Sequence, residues 1–456
     1  MVSAALAAFL APFMSSSINI ALPVIGNELS MNAAVLGWVA TSYLLAAAVF
    51  LVPFGRISDI HGRKAVFLAG LFGYGISSFL CGVARDPVLL ISFRVLQGMT
   101  SAMIFSTAIA ILASVFPPSE RGRVLGINVA CTYAGLSLGP VIGGVMTQQF
   151  GWRSIFYANV PLAAVAFVLV AWMLPADRVE SKEERFDVPG SLLFGIGLAA
   201  LMYGLSLLPK ISGLWVLIIA VASLTSFVAV ELRVKQPLLN IDLFRRNAVF
   251  AFSNLAALIN YSATFAVGFL LSYYLQFVRG LTPQQSGLVL IAQPVVMAVF
   301  SPIAGRLSDR IESRILASVG MAIAAAGLLW LSFLGVGTHV SLAIGALVVL
   351  GFGFALFSSP NTNAVMSSVE KRYYGVASAT LGTMRLTGQM ISIGIAILIF
   401  TLFVGHTSIT AAVGDKLQPA IRVAFVIFAA VCFLGVFASM ARGRLRPQED
   451  ELTSQT

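Results

Sequence analysis

Apolar stretches of about twenty residues follow one another along almost the whole chain, separated by short polar clusters. A helix rises 1.5 Å per residue, so a stretch of that length crosses the roughly 30 Å hydrocarbon core of a bilayer. Fourteen stretches can be marked, at roughly 2–25, 37–54, 65–84, 88–114, 123–147, 154–174, 188–208, 212–231, 247–276, 283–303, 315–335, 340–365, 374–404 and 420–441. Composition agrees: 59% of the 456 residues are hydrophobic and 10% are charged. Soluble domains carry about 45–50% and about 25%. Inside a bilayer the backbone must bond to itself, which helices do within one segment. A membrane β-barrel would show weak alternating segments instead. The expected fold class is an all-α polytopic membrane protein.

The formal charge of +10 could suggest a nucleic-acid partner, but its distribution argues otherwise. With both termini on the inner side, twenty of the 28 Lys and Arg residues fall in inner loops and the C-terminal tail, Arg442 among them. Six fall outside, and Arg94 and Arg385 lie within spans. This is the positive-inside pattern, and it favours an even number of spans with two cytoplasmic termini. The first span lacks the basic start and small-residue cleavage pattern of a removable signal peptide. Cys81, Cys131 and Cys432 lie inside spans, far apart, with no metal-ligand spacing. No cofactor or metal is expected.

A repeat organises the chain. Residues 54–67 read FGRISDIHGRKAVF, and residues 304–317 read AGRLSDRIESRILA. Gly55, Arg56, Ser58 and Asp59 recur as Gly305, Arg306, Ser308 and Asp309, while Gly62, Arg63 and Lys64 give way to Glu312, Ser313 and Arg314. The copies follow spans two and ten. Removing spans seven and eight leaves six plus six, each with the loop in the same place. Repeated halves holding a substrate near the midplane are a common transporter plan. The expected division is 1–175, 176–246 and 247–456, with charged linkers at 177–190 and 231–247 around the extra pair.

Several motifs now carry a family resemblance. GRISDIHGRK at 55–64 resembles the loop motif of the major facilitator superfamily, and RVLQG at 94–98 its fourth-helix motif. Gly126, eight intervening residues, Gly135, then Gly139, Pro140, Gly143 and Gly144 resemble the fifth-helix motif of its antiporters. NIALP at 19–23, WRSIFYANVP at 152–161 and YYLQFVRGLTPQQSGL at 273–288 resemble the fourteen-span drug:proton antiporter branch. The resemblance covers essentially the whole chain. It implies a major facilitator fold of two six-helix bundles plus two extra central helices. It also implies a monomer in a prokaryotic cytoplasmic membrane that exports a small amphipathic compound in exchange for protons.

Physical arguments attach to these residues. Asp59 and Arg63 are four apart at a helix end, where such charges can pair on one face or bond the other half in one orientation only. They are the expected gating pair, with Asp309 as the weaker second copy. Gly135, Gly139, Gly143 and Gly144 permit close helix approach, and Pro140 removes a helix bond. Arg94 and Arg385 are charges inside spans, which face a cavity or a partner; Arg94 is expected to act in gating and coupling with the fifth-helix glycines and Pro140, and Arg385 to line the substrate cavity. Uncharged polar and aromatic residues in spans complete the expected cavity: Asn19, Tyr43, Gln97, Tyr133, Asn254, Asn260, Tyr261, Gln293 and Asn361.

The acids are informative by their places. None of the 18 Asp and Glu residues falls in the middle of a span, and Met14 stands where many members of the superfamily carry Asp. A buried carboxylate is the natural partner of a lipophilic cation and a natural proton carrier. An exporter of an anionic metabolite, or an uncoupled transporter, is therefore the first alternative. A membrane sensor without transport is the alternative of another class. No converging acid, base and nucleophile set and no GxxxxGK[ST] loop is found, which argues against an enzyme and an ATP-driven pump.

Overall fold

The structure is a computed structural model that describes residues 2–115, 118–174, 187–234, 237, 239, 241–308, 310–370, 374–405 and 414–443. Every regular element among them is helical. The first six helices are α1 (Val2–Glu28), α2 (Ala33–His61), α3 (Arg63–Val83), α4 (Pro87–Val115), α5 (Pro118–Phe150) and α6 (Arg153–Met173). Then come α7 (Val188–Leu207), α8 (Ile211–Glu231) and the short α9 (Ile241–Arg246). The last part holds α10 (Ala248–Thr264), α11 (Val267–Tyr273), a π-helical turn at Tyr274–Val278, α12 (Pro283–Leu290) and α13 (Ala292–Ser308). It ends with α14 (Ser313–Leu331), α15 (Val340–Ser367), α16 (Tyr374–Val404) and α17 (Gly414–Met440).

Thirteen helical stretches among the described residues are long and apolar enough to cross a membrane. The 33-residue α5 lies between the fourth and fifth of them and completes the order expected from the sequence. Two spans expected to be continuous are broken. Ala248–Val278 crosses as α10, α11 and the π turn, and Pro283–Ser308 crosses as α12 and α13.

Two bundles result. In the N-terminal half α1 packs on α5 and α6, α2 on α4, and α3 on α4 and α6. In the C-terminal half α15 packs on α13 and α14, and α10 and α14 both pack on α17. The halves meet along two seams, α2 on α16, and α5 on α12 and α13. The extra pair, α7 and α8, sits at the first seam, where α7 touches both α2 and α16. Gly195 of α7 lies close against Val49 of α2, and Gly394 of α16 faces Met202 and Leu205 of α7. The outer surface of the bundle is apolar, with Trp172, Trp215, Phe333 and Phe433 exposed as a bilayer requires.

The repeat seen in the sequence is a repeat of bonds. Ser58 Oγ donates to the Gly55 carbonyl at 2.7 Å, and Ser308 Oγ donates to the Gly305 carbonyl at 2.7 Å. Gly55 faces Ser106 of α4, and Gly305 faces Ser359 of α15, the corresponding helix of the other half. The copies part company at Gly62. Its φ of +99° lets α3 start directly after α2, a backbone state that suits glycine. Glu312 stands in that place in the second copy with φ −50°, and residues 309–312 separate α13 from α14. These turns lie on one face, the basic face, with the C-terminal ends of α6, α8 and α15 and with α9. The turns at 29–32, 84–86, 151–152 and 279–282 lie on the opposite face.

On that opposite face the WRSIFY segment ties three helices together. Arg153 pairs with Glu28 at the end of α1 and donates to the Ala84 carbonyl after α3 at 3.3 Å. Trp152 Nε1 donates to Glu28 at 2.8 Å, and the Arg153 guanidinium lies 4.3 Å from the Trp152 ring centre.

Candidate functional site

The halves are in contact at the opposite face. There the YYLQFVRGLTPQQSGL segment supplies the contacts. Gln276 Nε2 donates across the interface to the Ile20 carbonyl of α1 at 3.0 Å. Thr282 and Gln285 form a capping box that starts α12. Gly287 of α12 then seats against the Pro140 carbonyl with no room for a side chain, and a Cβ on Gly144 would lie 2.7 Å from the Pro283 carbonyl. On the other seam Gly37 of α2 seats against Ile397 of α16.

The glycines of α5 divide into two groups. Gly135, Gly139 and Gly143 recur every four residues and face α1, where added Cβ atoms would lie 2.6–2.7 Å from the Phe9 carbonyl, Ser16 and Ser17. They serve packing within one half. Gly144 and Pro140 face the other half. Pro140 has no N–H to offer the carbonyl four residues earlier. That carbonyl, of Leu136, accepts instead from Ser16 Oγ at 3.0 Å. Ser17 Oγ donates to the Gly139 carbonyl at 2.9 Å.

Towards the basic face, polar side chains within the spans stay partly open. Tyr133 of α5, Tyr261 of α10, Thr362 of α15 and Arg385 of α16 are all half-buried. Partial exposure on inward-turned residues of both halves marks a cleft between them. Arg385 Nη2 donates to Thr362 Oγ1 at 2.7 Å, and its guanidinium lies 5.6 Å from the Tyr261 ring centre. Tyr261 is held edge to face by Phe354, centroids 5.3 Å apart. Asn19 faces Gly268 of α11 across the interface.

Arg94 has a different setting. It is 1% exposed. Its Nε donates to the Val39 carbonyl at 2.9 Å, and Nη1 donates to Gln97 Oε1 at 2.6 Å. The guanidinium carbon lies 4.4 Å from the Tyr43 ring centre. Gln97 Nε2 in turn donates to Ser78 Oγ at 2.7 Å, and the Tyr43 hydroxyl bonds Ser101 at 2.7 Å. The cage draws on α2, α3 and α4 and is neutral apart from the arginine. Tyr43 and Gln97, expected in the cavity, are buried in this cage inside the N-terminal half.

Three more expected cavity residues, Asn254, Asn260 and Asn361, are buried in the C-terminal half. Asn254 Nδ2 donates to the Phe250 carbonyl at 2.9 Å. Asn361 Nδ2 donates to the Ser253 carbonyl at 3.2 Å, and its Oδ1 accepts from Arg442 at 3.1 Å. Arg442 is the residue that sequence reasoning misplaced. Counted there with the basic tail, it is 1% exposed beyond the end of α17. It bonds the Ser439 carbonyl at 2.8 Å, the Ser439 hydroxyl, and Ser253 at 3.3 Å. Burial pushes its guanidinium down to about 10, still charged at neutral pH. No sequence signal separates it from the topological arginines around it. Thr362, the partner of Arg385, lies in the polar run SSPNTN at 358–363, where nothing marks it above Asn361.

The remaining expected residues fall as follows. Gln293 is half-buried near the start of α13, with its carbonyl against Gly351 of α15. Arg63 is the half-buried first residue of α3. Asp59 lies in the last turn of α2 and its side chain is outside the described set, as is Asp309 entirely.

Two related six-helix halves, pressed together at one end with partly exposed polar side chains between them, define the architecture of a membrane transporter. The chain belongs to the Major Facilitator Superfamily, matching it over residues 4–393 and again over 253–456. It is 29% identical over 442 residues to the riboflavin transporter RibZ of Clostridioides difficile, covering 95% of this chain and 94% of that protein. It is 32% identical over 391 residues to the multidrug resistance protein Stp of Mycobacterium tuberculosis, covering 84% of this chain and 71% of that one. A bacterial homolog of the human lysosomal transporter Spinster, in an inward-facing conformation, shares the fold with a TM-score of 0.71 at 14% identity, covering 97% of this chain and 95% of its own. The chain is thus a multi-pass membrane transporter, not an enzyme, and its relatives include proteins named for drug resistance.

Proposed function

We propose that the protein is a secondary active exporter of a small amphipathic compound, working by alternating access and driven by inward proton movement. The carrying observation is the asymmetry of the cleft. Pro140 and Gly144 meet Gly287 and Pro283 at the opposite face, while Tyr133, Tyr261 and Arg385 stay partly open nearer the basic face. With the basic face in the cytoplasm, as the loop cations favour, this state is inward-facing and both termini are cytoplasmic. Residues 1–175 and 247–456 are then the bodies that rock. Asp59 and Arg63, with Asp309 in the second copy, bias the two orientations from the cytoplasmic side. Relatives named for multidrug resistance and for riboflavin transport support a small-molecule cargo.

The lack of an acid in the middle of any span favours one second reading, transport without proton coupling. Purified protein in proteoliposomes with an internal pH dye separates the two. Proton flux that starts on addition of an amphipathic compound, and is weakened in Asp59→Asn, is expected. Passage of labelled compound without any proton signal would leave only the uncoupled reading. No passage for any of a panel of cationic, neutral and anionic compounds would remove the transporter proposal in favour of a sensor.

A further inference from the structure

Resting on the transporter reading, we propose that Arg385 is the recognition point for a compact anionic group, carboxylate, sulfonate or phosphate, on an aromatic amphipathic substrate. A guanidinium has five N–H donors in a planar fork. Arg385 uses one, to Thr362 at 2.7 Å. Its Nε is enclosed without an acceptor, and Nη1 makes no hydrogen bond to any described residue. No carboxylate among the described residues pairs with it; the ion pair described is Arg153 with Glu28 on the opposite face.

The contrast with the other deeply placed arginines is what gives this weight. Arg94 is held by a carbonyl, an amide and an aromatic ring, and Arg442 by four bonds to serine and asparagine groups. Both are about 1% exposed, with two bonds on Arg94 and four on Arg442, so their charge is enclosed away from any cleft. Arg385 is half-buried on the cleft wall with donors to spare.

The surroundings define the rest of the ligand. Tyr261, braced by Phe354, supplies aromatic surface beside the guanidinium. Planar forks recognise planar anions with paired hydrogen bonds, and lysine does not reproduce that geometry. The same charge repels lipophilic cations from a cleft wall that offers no described acid in return, which is selection by rejection as well as by attraction.

Two probes that share one ring system test the assignment: 8-anilinonaphthalene-1-sulfonate and its uncharged parent, N-phenyl-1-naphthylamine. Binding is measured to the purified protein in nanodiscs, with empty nanodiscs as the blank. Wild type is expected to prefer the sulfonate. Arg385→Gln should weaken sulfonate binding about tenfold or more and leave the neutral probe within about twofold, with Arg385→Lys in between. Equal sulfonate affinity in wild type and Arg385→Gln, or parallel loss of both probes, overturns the proposal. Should Arg385→Gln fail to fold, wild type decides alone: binding of the neutral probe without preference for the sulfonate overturns it. Counterflow of both probes in proteoliposomes reads the transporter proposal separately. Arg385-dependent binding without counterflow would sink transport and keep the site; counterflow of the neutral probe alone would do the reverse.

Discussion

Arg94 and Arg385 are the same residue type inside the membrane, one in each half, and they are used in opposite ways. Arg94 is enclosed in α4 and its bonds run to α2, to Gln97, and through Gln97 to α3. Arg385 makes one bond and keeps one side towards the cleft. An intramembrane charge is commonly taken as a functional mark. The pair teaches that the mark splits by neighbourhood. A charge whose donors are engaged by carbonyls and amides holds helices together, and a charge with open donors in a cleft is available to a ligand.

The largest effect that would test this contrast is expected for Arg94→Ala. The Val39 carbonyl and the Gln97 amide would be left in a dry interior, each unsatisfied group costing about 1–3 kcal/mol. Yield of monodisperse protein and unfolding temperature should both fall sharply. A stable Arg94→Ala protein that merely fails to transport would return Arg94 to the functional class. Arg94→Lys should be intermediate, because an ammonium cannot match the fork that spans Val39 and Gln97. Its unfolding temperature should lie between those of wild type and Arg94→Ala.

Arg385→Ala should leave the unfolding temperature within about 2 °C of wild type while changing which compounds the protein accepts. A collapse like that of Arg94→Ala would erase the distinction. Ser78→Ala should cost about 0.5–1.5 kcal/mol, the net worth of one hydrogen bond, read by thermal unfolding with transport retained. Thr362→Val should be the mildest, shifting anion affinity by about two- to threefold with no stability change. A larger loss than that of Arg385→Gln would make Thr362, not Arg385, the group that matters.

Much of the fold was legible because the bilayer makes it so. Span lengths follow hydrocarbon thickness, and the Gly55–Asp59 repeat exposed the two halves before any contact was known. The facing of individual residues was not legible, for a physical reason. Soluble helices advertise their buried side by an apolar stripe, but these helices are apolar all round. Tyr43 and Gln97 therefore looked like cavity residues and are cage residues. Gly135 and Gly144 looked like one motif, yet one faces α1 and the other faces α12. Arg442 was hidden by its context, since a buried arginine and a surface anchor are spelled alike in ARGRLR. The break between α10 and α11 carries no proline or glycine at Thr264–Ala266, so the sequence offers no punctuation there.

The extra pair of helices imposes a mechanical condition that neither half contains alone. Because α7 touches α2 in one half and α16 in the other, rocking of the halves cannot preserve both contacts unchanged. The two are unlike. Gly195 brings the α7 backbone against Val49, leaving little slack, whereas Gly394 meets the long side chains of Met202 and Leu205, whose rotamers can follow a moving neighbour. Under the proposed rocking, the hairpin would travel with the N-terminal half, and Met202 and Leu205 would be the surface along which α16 moves.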